Sequence, residues 1–333
     1  TFFSRAFTIL PNRLLNLMEQ AYTAAEKAAL ILPRVASLIS LLACIGTACE
    51  TWVDHRHQRG SVVSRTQLVL QLPLLCYCAA YAVGSIAAPS GVWGAHGTVS
   101  TCEVQGFMIQ FAVTAYVPLD MLISTVFILI IRYNWNEKQL RGLEKWFHIL
   151  VWPLVMACTV IPLMMDMYNS SWETCWLDVA PTGCDEDENI ECERGEYAWV
   201  FHILAYVLSL SSLFYSIYAM LFIYLFVKRV EDRSRQYDFS SSEEGELAAR
   251  ARSRAVGIQG ILYAGVTALG GLPLVFSAIF TLVMGHQSLF LNTIGNIMFT
   301  LIGLFNMLVT FRSRTTQTTT YGRYLRSVNS KAR

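Results

Sequence analysis

Residues 102–131 read CEVQGFMIQFAVTAYVPLDMLISTVFILII. As a helix this stretch is about 45 Å long, against a hydrocarbon core of about 30 Å. Its charged residues are Glu103, at the opening, and Asp120. A run this long and this apolar is what a bilayer crossing requires. The alternation of polar and apolar residues that marks a membrane barrel strand is missing, so the crossing form is a helix, whose backbone groups pair within the segment.

Working outward, six more runs have the same character: roughly 30–53, 66–88, 146–168, 198–227, 255–284 and 290–311. Together the seven predict an all-α membrane protein, a seven-helix transmembrane domain over 30–311. It is flanked by an N-terminal segment 1–29 and a tail 312–333. Composition agrees: the 333 residues are 54% hydrophobic and 15% charged, where a soluble domain carries about 25% charged residues. The formal net charge of +1 forms no basic stripe of the kind nucleic acid needs, so the expected surroundings are a lipid bilayer and no nucleic acid. The chain opens on Thr1 rather than Met, and the N-terminal segment is expected to be truncated or processed. In the tail, Tyr321, Tyr324, Leu325 and Val328 with Arg323 and Arg326 fit a short amphipathic helix on the inner leaflet.

The distribution of Lys and Arg predicts orientation. The loops after spans one, three and five hold Arg56, Arg59, Arg65, Arg132, Lys138, Arg141, Lys145, Lys228, Arg229, Arg233, Arg235, Arg250, Arg252 and Arg254, and the tail adds six more. The loops after spans two, four and six hold Arg194 alone. Basic residues accumulate on the cytoplasmic side. The N-terminus is therefore expected outside and the C-terminus in the cytosol, in a multi-pass protein of the plasma membrane. The sequon Asn169-Ser170-Ser171 falls in a loop assigned outside and is a glycosylation candidate.

Cys102, Cys175, Cys184 and Cys192 also fall outside, an even number in an oxidising compartment. Four cysteines allow three connectivities. Because Cys184 and Cys192 are near neighbours on one loop, the favoured pairing is Cys102–Cys175 with Cys184–Cys192 as a second, weaker bridge. The first would draw the long loop across the mouth of the bundle.

Inside the spans, Asp120 shares a helical face with Cys102, Gly106, Ile109, Val113, Tyr116 and Ser124. Intramembrane acids face the bundle interior. Its depth favours a structural or switch role over direct ligand contact. Span seven aligns Asn292, Asn296, Gly303 and Asn306 with Phe299 on one stripe, which suits either interhelical hydrogen bonds or, for the first two, a ligand. Asn306 and Asp120 both belong to the inner half and are expected to communicate. Gly270, Gly271 and Pro273 make span six a candidate hinge. The pocket-wall candidates are Gln105, Ile109 and Tyr116 on span three, Trp176 on the loop, His202 and Tyr206 on span five, and Asn292 and Asn296. In loop 228–254, Ser240-Ser241-Ser242-Glu243-Glu244 reads as a solvated linker or a phosphorylation patch.

These residues exclude several functions. The lysines at 27, 138, 145, 228 and 331 leave no site for a retinal Schiff base. The six His residues are scattered, so neither a metal, another cofactor nor an enzymatic centre is expected. A transporter would be expected to show two related halves, and no internal repeat is visible; a multi-span transporter or channel without G-protein coupling is kept as the alternative reading. A receptor accounts for a capped mouth, a polar interior, a hinge and basic inner loops together.

The sequence also resembles the cyclic-AMP-receptor-like group of seven-helix G-protein-coupled receptors, which is distantly similar to secretin-like receptors. The resemblance runs through Cys102-Glu103-Val104-Gln105-Gly106-Phe107, Leu143-Glu144-Lys145-Trp146-Phe147, Trp152-Pro153-Leu154, Trp172-Glu173-Thr174-Cys175-Trp176 and Leu291-Asn292. It implies a Cys102–Cys175 bridge and a heterotrimeric G protein against the inner loops. The expected G-protein-facing residues are Arg132, Lys138, Arg141, Lys228, Arg229 and Arg254. One departure matters: the outer loop carries Asp185-Glu186-Asp187-Glu188, Glu191, Glu193 and Glu196. A negative mouth repels an anionic nucleotide, so cyclic AMP is not carried over and the extracellular ligand is left unknown: a cationic or neutral ligand fits the field better, and a plain solvated loop fits it equally well.

Overall fold

The computed structural model describes residues 23–58, 61–89, 92–171, 173–181, 184, 191–236, 243–284 and 288–312, with the side chains of 54–58, 231–236, 243–257, 278 and 281–284 outside the description. Residues 1–22, the acidic run 185–188, Ser240–Ser242, the amphipathic segment of the tail and the Arg254 side chain lie outside the described residues.

The helices are α1 (Ala24–Gln58), α2 (Val62–Val83), α3 (Val99–Tyr133), α4 (Glu137–Met164), α5 (Ala198–Gln236), α6 (Glu243–Met284) and α7 (Leu289–Thr300). After a turn at Leu301, α7 continues as helix through residue 312. Each contains a segment long and apolar enough to cross a membrane. Two features extend the sequence reading, in which 228–254 opens on a basic helix extension. Most of 228–254 is helix rather than loop, since α5 runs on to Gln236 and α6 starts at Glu243; the Lys, Arg, Glu and Ala residues there are good helix formers in water. The loop after α4 carries a two-stranded antiparallel hairpin, β1 (Tyr168–Ser170) and β2 (Cys175–Leu177).

Local chemistry sets the helix starts. Thr98 and Thr101 form a reciprocal cap on α3, and Asn136 and Gln139 do the same for α4. Between them Asn134 ends α3 at φ 50°, a left-handed position that Asn tolerates well. The α3–α4 link is therefore tight.

Around α3 the bundle closes on itself. α1 packs on α2 and α7, α5 on α6 and α6 on α7, while α3 touches α2, α4, α5 and α6. In its most apolar window α3 is 67% buried, whereas α4 is 17% buried. So α3 is the axis and α4 is peripheral. Outward-facing Leu42, Leu154, Met164, Phe214 and Leu269 stay exposed, as suits a surface whose solvent is lipid.

Small residues let the helices approach, because lipid removes the usual hydrophobic drive for helix association. A Cβ at Gly303 of α7 would come 2.3 Å from Cys44 Sγ of α1. One at Gly270 of α6 would come 2.4 Å from Ile302 Cγ1 of α7. Gly270, Gly271 and Pro273 lie within one continuous helix, so Gly270 is a packing position as well as part of the expected hinge segment. At the end of the bundle away from the hairpin, Arg65 of α2 pairs with Glu144 and Glu137 of α4, and Glu137 also accepts from the Val62 amide.

Candidate functional site

The hairpin is fastened over one end of the bundle. A disulfide joins Cys102, at the start of α3, to Cys175 of β2, with their Cα atoms 5.1 Å apart. A second joins Cys184 to Cys192. Gln105, one turn below Cys102, accepts a hydrogen bond from the Cys175 amide at 2.9 Å and donates to the carbonyls of Ala80 and Gly84 at 2.8 Å each. Gly84 ends α2 at φ 57°, which turns its carbonyl toward Gln105. On the other strand, Tyr168 lies against Gly106, where a Cβ would meet its ring at 2.8 Å. Its hydroxyl donates to the Thr159 carbonyl of α4 at 2.8 Å. Arg194, on the returning arm of the loop, pairs with Glu103 of α3 and with Asp166.

Between the strands the turn carries Glu173, which is buried to 7% exposure. Asn296 Nδ2 of α7 donates to its Oε2 at 2.6 Å. Its other oxygen, Oε1, is enclosed without a partner. Burial pushes the Glu173 carboxyl up to about 7, and the bond from Asn296 pulls the other way. Tyr81 of α2 donates to Asn296 Oδ1 at 3.4 Å.

From here a chain of contacts descends through the bundle. The Tyr77 and Tyr81 rings stack at 4.5 Å, and Tyr77 meets Phe299 of α7 edge-on at 4.8 Å. Phe299 in turn meets Tyr116 of α3 at 6.0 Å. Tyr116 Oη is 3.1 Å from Thr267 Oγ1 of α6. Thr267 donates to Asp120 Oδ1 at 2.7 Å, so its single hydrogen is engaged and Tyr116 must be the donor to it. Asp120 Oδ2 accepts from Ser216 at 2.8 Å and Ser212 at 3.3 Å, both on α5. One acid thereby ties α3 to α5 and α6. One turn further along α6, Tyr263 stacks on Phe127 at 6.1 Å. Its hydroxyl accepts from Gln67 of α2 at 2.8 Å and lies 2.7 Å from Thr310 Oγ1 of α7.

The residues expected at the mouth do not form one cluster. Asn296 is at the hairpin; Trp176 is half-buried, donates to Gln110 and meets His202 edge-on at 4.8 Å, with Tyr206 stacked beyond. Ile109 packs with Tyr77 and Tyr81, and Asn292 is half-buried near the start of α7. Gln105 and Tyr116 do not serve as free pocket walls: the first is fully engaged in seating the hairpin, and the second belongs to the Asp120 cluster. Asn306 is buried but makes no hydrogen bond to Asp120; its Nδ2 is without a partner. Asn169 is 5% exposed, and its Nδ2 donates to the Asp166 and Asp178 carbonyls. Glycan attachment at that nitrogen conflicts with this geometry, because the strand pairing turns the side chain inward. His148 accepts from Trp152 within α4, a packing contact.

Sequence reading missed Glu173, Tyr77, Tyr81, Ser212, Ser216, Thr267, Tyr263, Gln67 and Thr310 as members of this chain. No protein-family model matches this sequence, and no curated protein matches it.

Proposed function

We propose that the chain is a G-protein-coupled receptor of the plasma membrane, with the hairpin outside and the opposite end facing a heterotrimeric G protein. The observation that carries this reading is the chain of contacts just described, from Glu173 on the hairpin to Tyr263, Gln67 and Thr310 near the opposite end. It links α2, α3, α5, α6 and α7, and so offers a route of discrete contacts by which a shift of the hairpin would reach the far end. A ligand that favours one of two packings would move α6 about its Gly270–Pro273 segment. The sequence resemblance to cyclic-AMP-receptor-like receptors adds to this.

Orientation rests on the basic side chains at the far end. A tag inserted within 178–190 is expected to be accessible on intact cells, and one within 236–246 only after permeabilisation. The reverse labelling would overturn the orientation.

Arg132, Lys138, Arg141, Lys228 and Arg229 are all exposed at that end. The Arg132 guanidinium lies 5.5 Å from the centres of the Tyr133 and Phe226 rings, at the foot of α3 and α5. Replacing Arg132 and Arg229 together with Ala should weaken nucleotide exchange on co-expressed G proteins by about tenfold, the scale of one lost charge-assisted contact. Surface level should hold, since neither side chain is buried. Solute flux or current in cells where no G protein responds would put a transporter or channel in the receptor's place.

A further inference from the structure

Glu173 is the acid held between hairpin and bundle. One oxygen is bonded to Asn296 and the other is enclosed by protein with no partner. A buried carboxylate needs a counter-charge or a full set of donors, and without them it keeps its proton. The groups packed around it supply neither. From α2 come the Tyr77 and Tyr81 hydroxyls, within electrostatic reach of the carboxyl. From α7 comes the neutral amide of Asn296, and from α3 the neutral, fully engaged Gln105. α5 contributes His202 and Tyr206, stacked beyond Trp176. Near the same end, the Arg34 guanidinium of α1 bonds to the Ser85 hydroxyl, while Arg194 is paired with Glu103 and Asp166.

We propose that Glu173 is a proton-operated latch: its neutral carboxyl seats the hairpin on α7 through Asn296, and loss of the proton expels the side chain and loosens the loop. The proton passes to bulk water and no covalent bond changes. On the receptor reading, on which this rests, the signal received at the mouth is external acidity. The acidic residues Glu191, Glu193 and Glu196 of the same loop are exposed, where they concentrate cations.

The sign follows from the carboxyl being raised in the folded chain. Between the ordinary carboxylate range and about 7, the folded state holds a proton that the unfolded state has released. That stabilisation is complete at low pH and is lost as pH rises through about 7. The test is thermal melting of the purified full chain between pH 5 and 8. The wild type should lose about 5 °C over that range. Glu173→Gln, which keeps an acceptor for Asn296 but cannot ionise, should melt without the slope and near the low-pH wild type. His202→Asn removes the neighbouring imidazole, whose ordinary range also lies near neutrality, and should keep the slope. As a second measurement, amide protection in 174–177, taken relative to the intrinsic exchange rate at each pH, should fall above pH 7 in the wild type and not in Glu173→Gln. A slope that survives in Glu173→Gln, or vanishes in His202→Asn, overturns the latch, as does a flat wild type with unchanged protection. A slope abolished by Glu173→Gln in a protein that activates no G protein at any external pH supports the latch and overturns the receptor reading.

Discussion

Cys102→Ser and Cys175→Ser should each lower stability by about 2–5 kcal/mol, the usual cost of removing a native disulfide. The double variant should be no worse than either single one. The bridge spans 73 residues of sequence, including α3, α4 and β1, so its loss frees a large segment of the unfolded chain. It also removes the tether that places the Cys175 amide on Gln105. Surface expression and thermal melting measure the effect. Additive losses in the double variant would mean that the two sulfurs act separately.

Asp120→Ala should cost about 2–4 kcal/mol. It removes the acceptor of three buried hydroxyls on two other helices. Each buried donor left unmatched costs about 1–3 kcal/mol. Ser and Thr hydroxyls can turn back to carbonyls of their own helix, as Thr267 already approaches Tyr263 O at 3.4 Å, so the sum is not reached. Thr267→Val should cost less, about 1 kcal/mol, because Asp120 keeps both serines. In a double-mutant cycle the two substitutions should couple, since they share one hydrogen bond. Independent losses would show that the clamp between α3 and α6 does not operate. At matched surface level, Asp120→Ala should also raise basal nucleotide exchange, since α6 is then held to α3 by fewer contacts.

Much of the fold was legible because a bilayer constrains sequence more tightly than water does. Span 102–131 could be read directly, since length and apolarity leave one option. The inward direction of Asp120 followed from the cost of a charge facing lipid, and all of its neighbours on that face are buried or half-buried. Glu173 was not legible as a site residue. An acid in a long polar loop reads as solvated, and its burial depends on a hairpin that Cys175 and Tyr168 seat on Cys102, Gln105 and Gly106 of α3. Gln105 shows the opposite error: a polar residue near the mouth suggested a ligand contact, yet loop amide and helix carbonyls engage all of it. Asn169 was misread for a related reason, because a sequon says nothing of which way a strand turns its side chain. The Tyr263 cluster joins residues 196 and 47 positions apart, beyond any local pattern.

The clamp at Asp120 bears on how the protein is made. Its carboxylate leaves the ribosome well before the groups that bond to it: Ser212 and Ser216 follow 92 and 96 residues later, and Thr267 follows 147 residues later. At about 5–20 residues per second, the last of these arrives about 7–30 s after the acid. Until α5 is made, α3 must wait at the membrane with an unmatched polar group, and the set of donors is complete only when Thr267 of α6 follows. Assembly of this bundle is therefore completed by translation of its sixth helix, and a nascent chain stalled before Ser212 would present quality-control machinery with an exposed intramembrane acid.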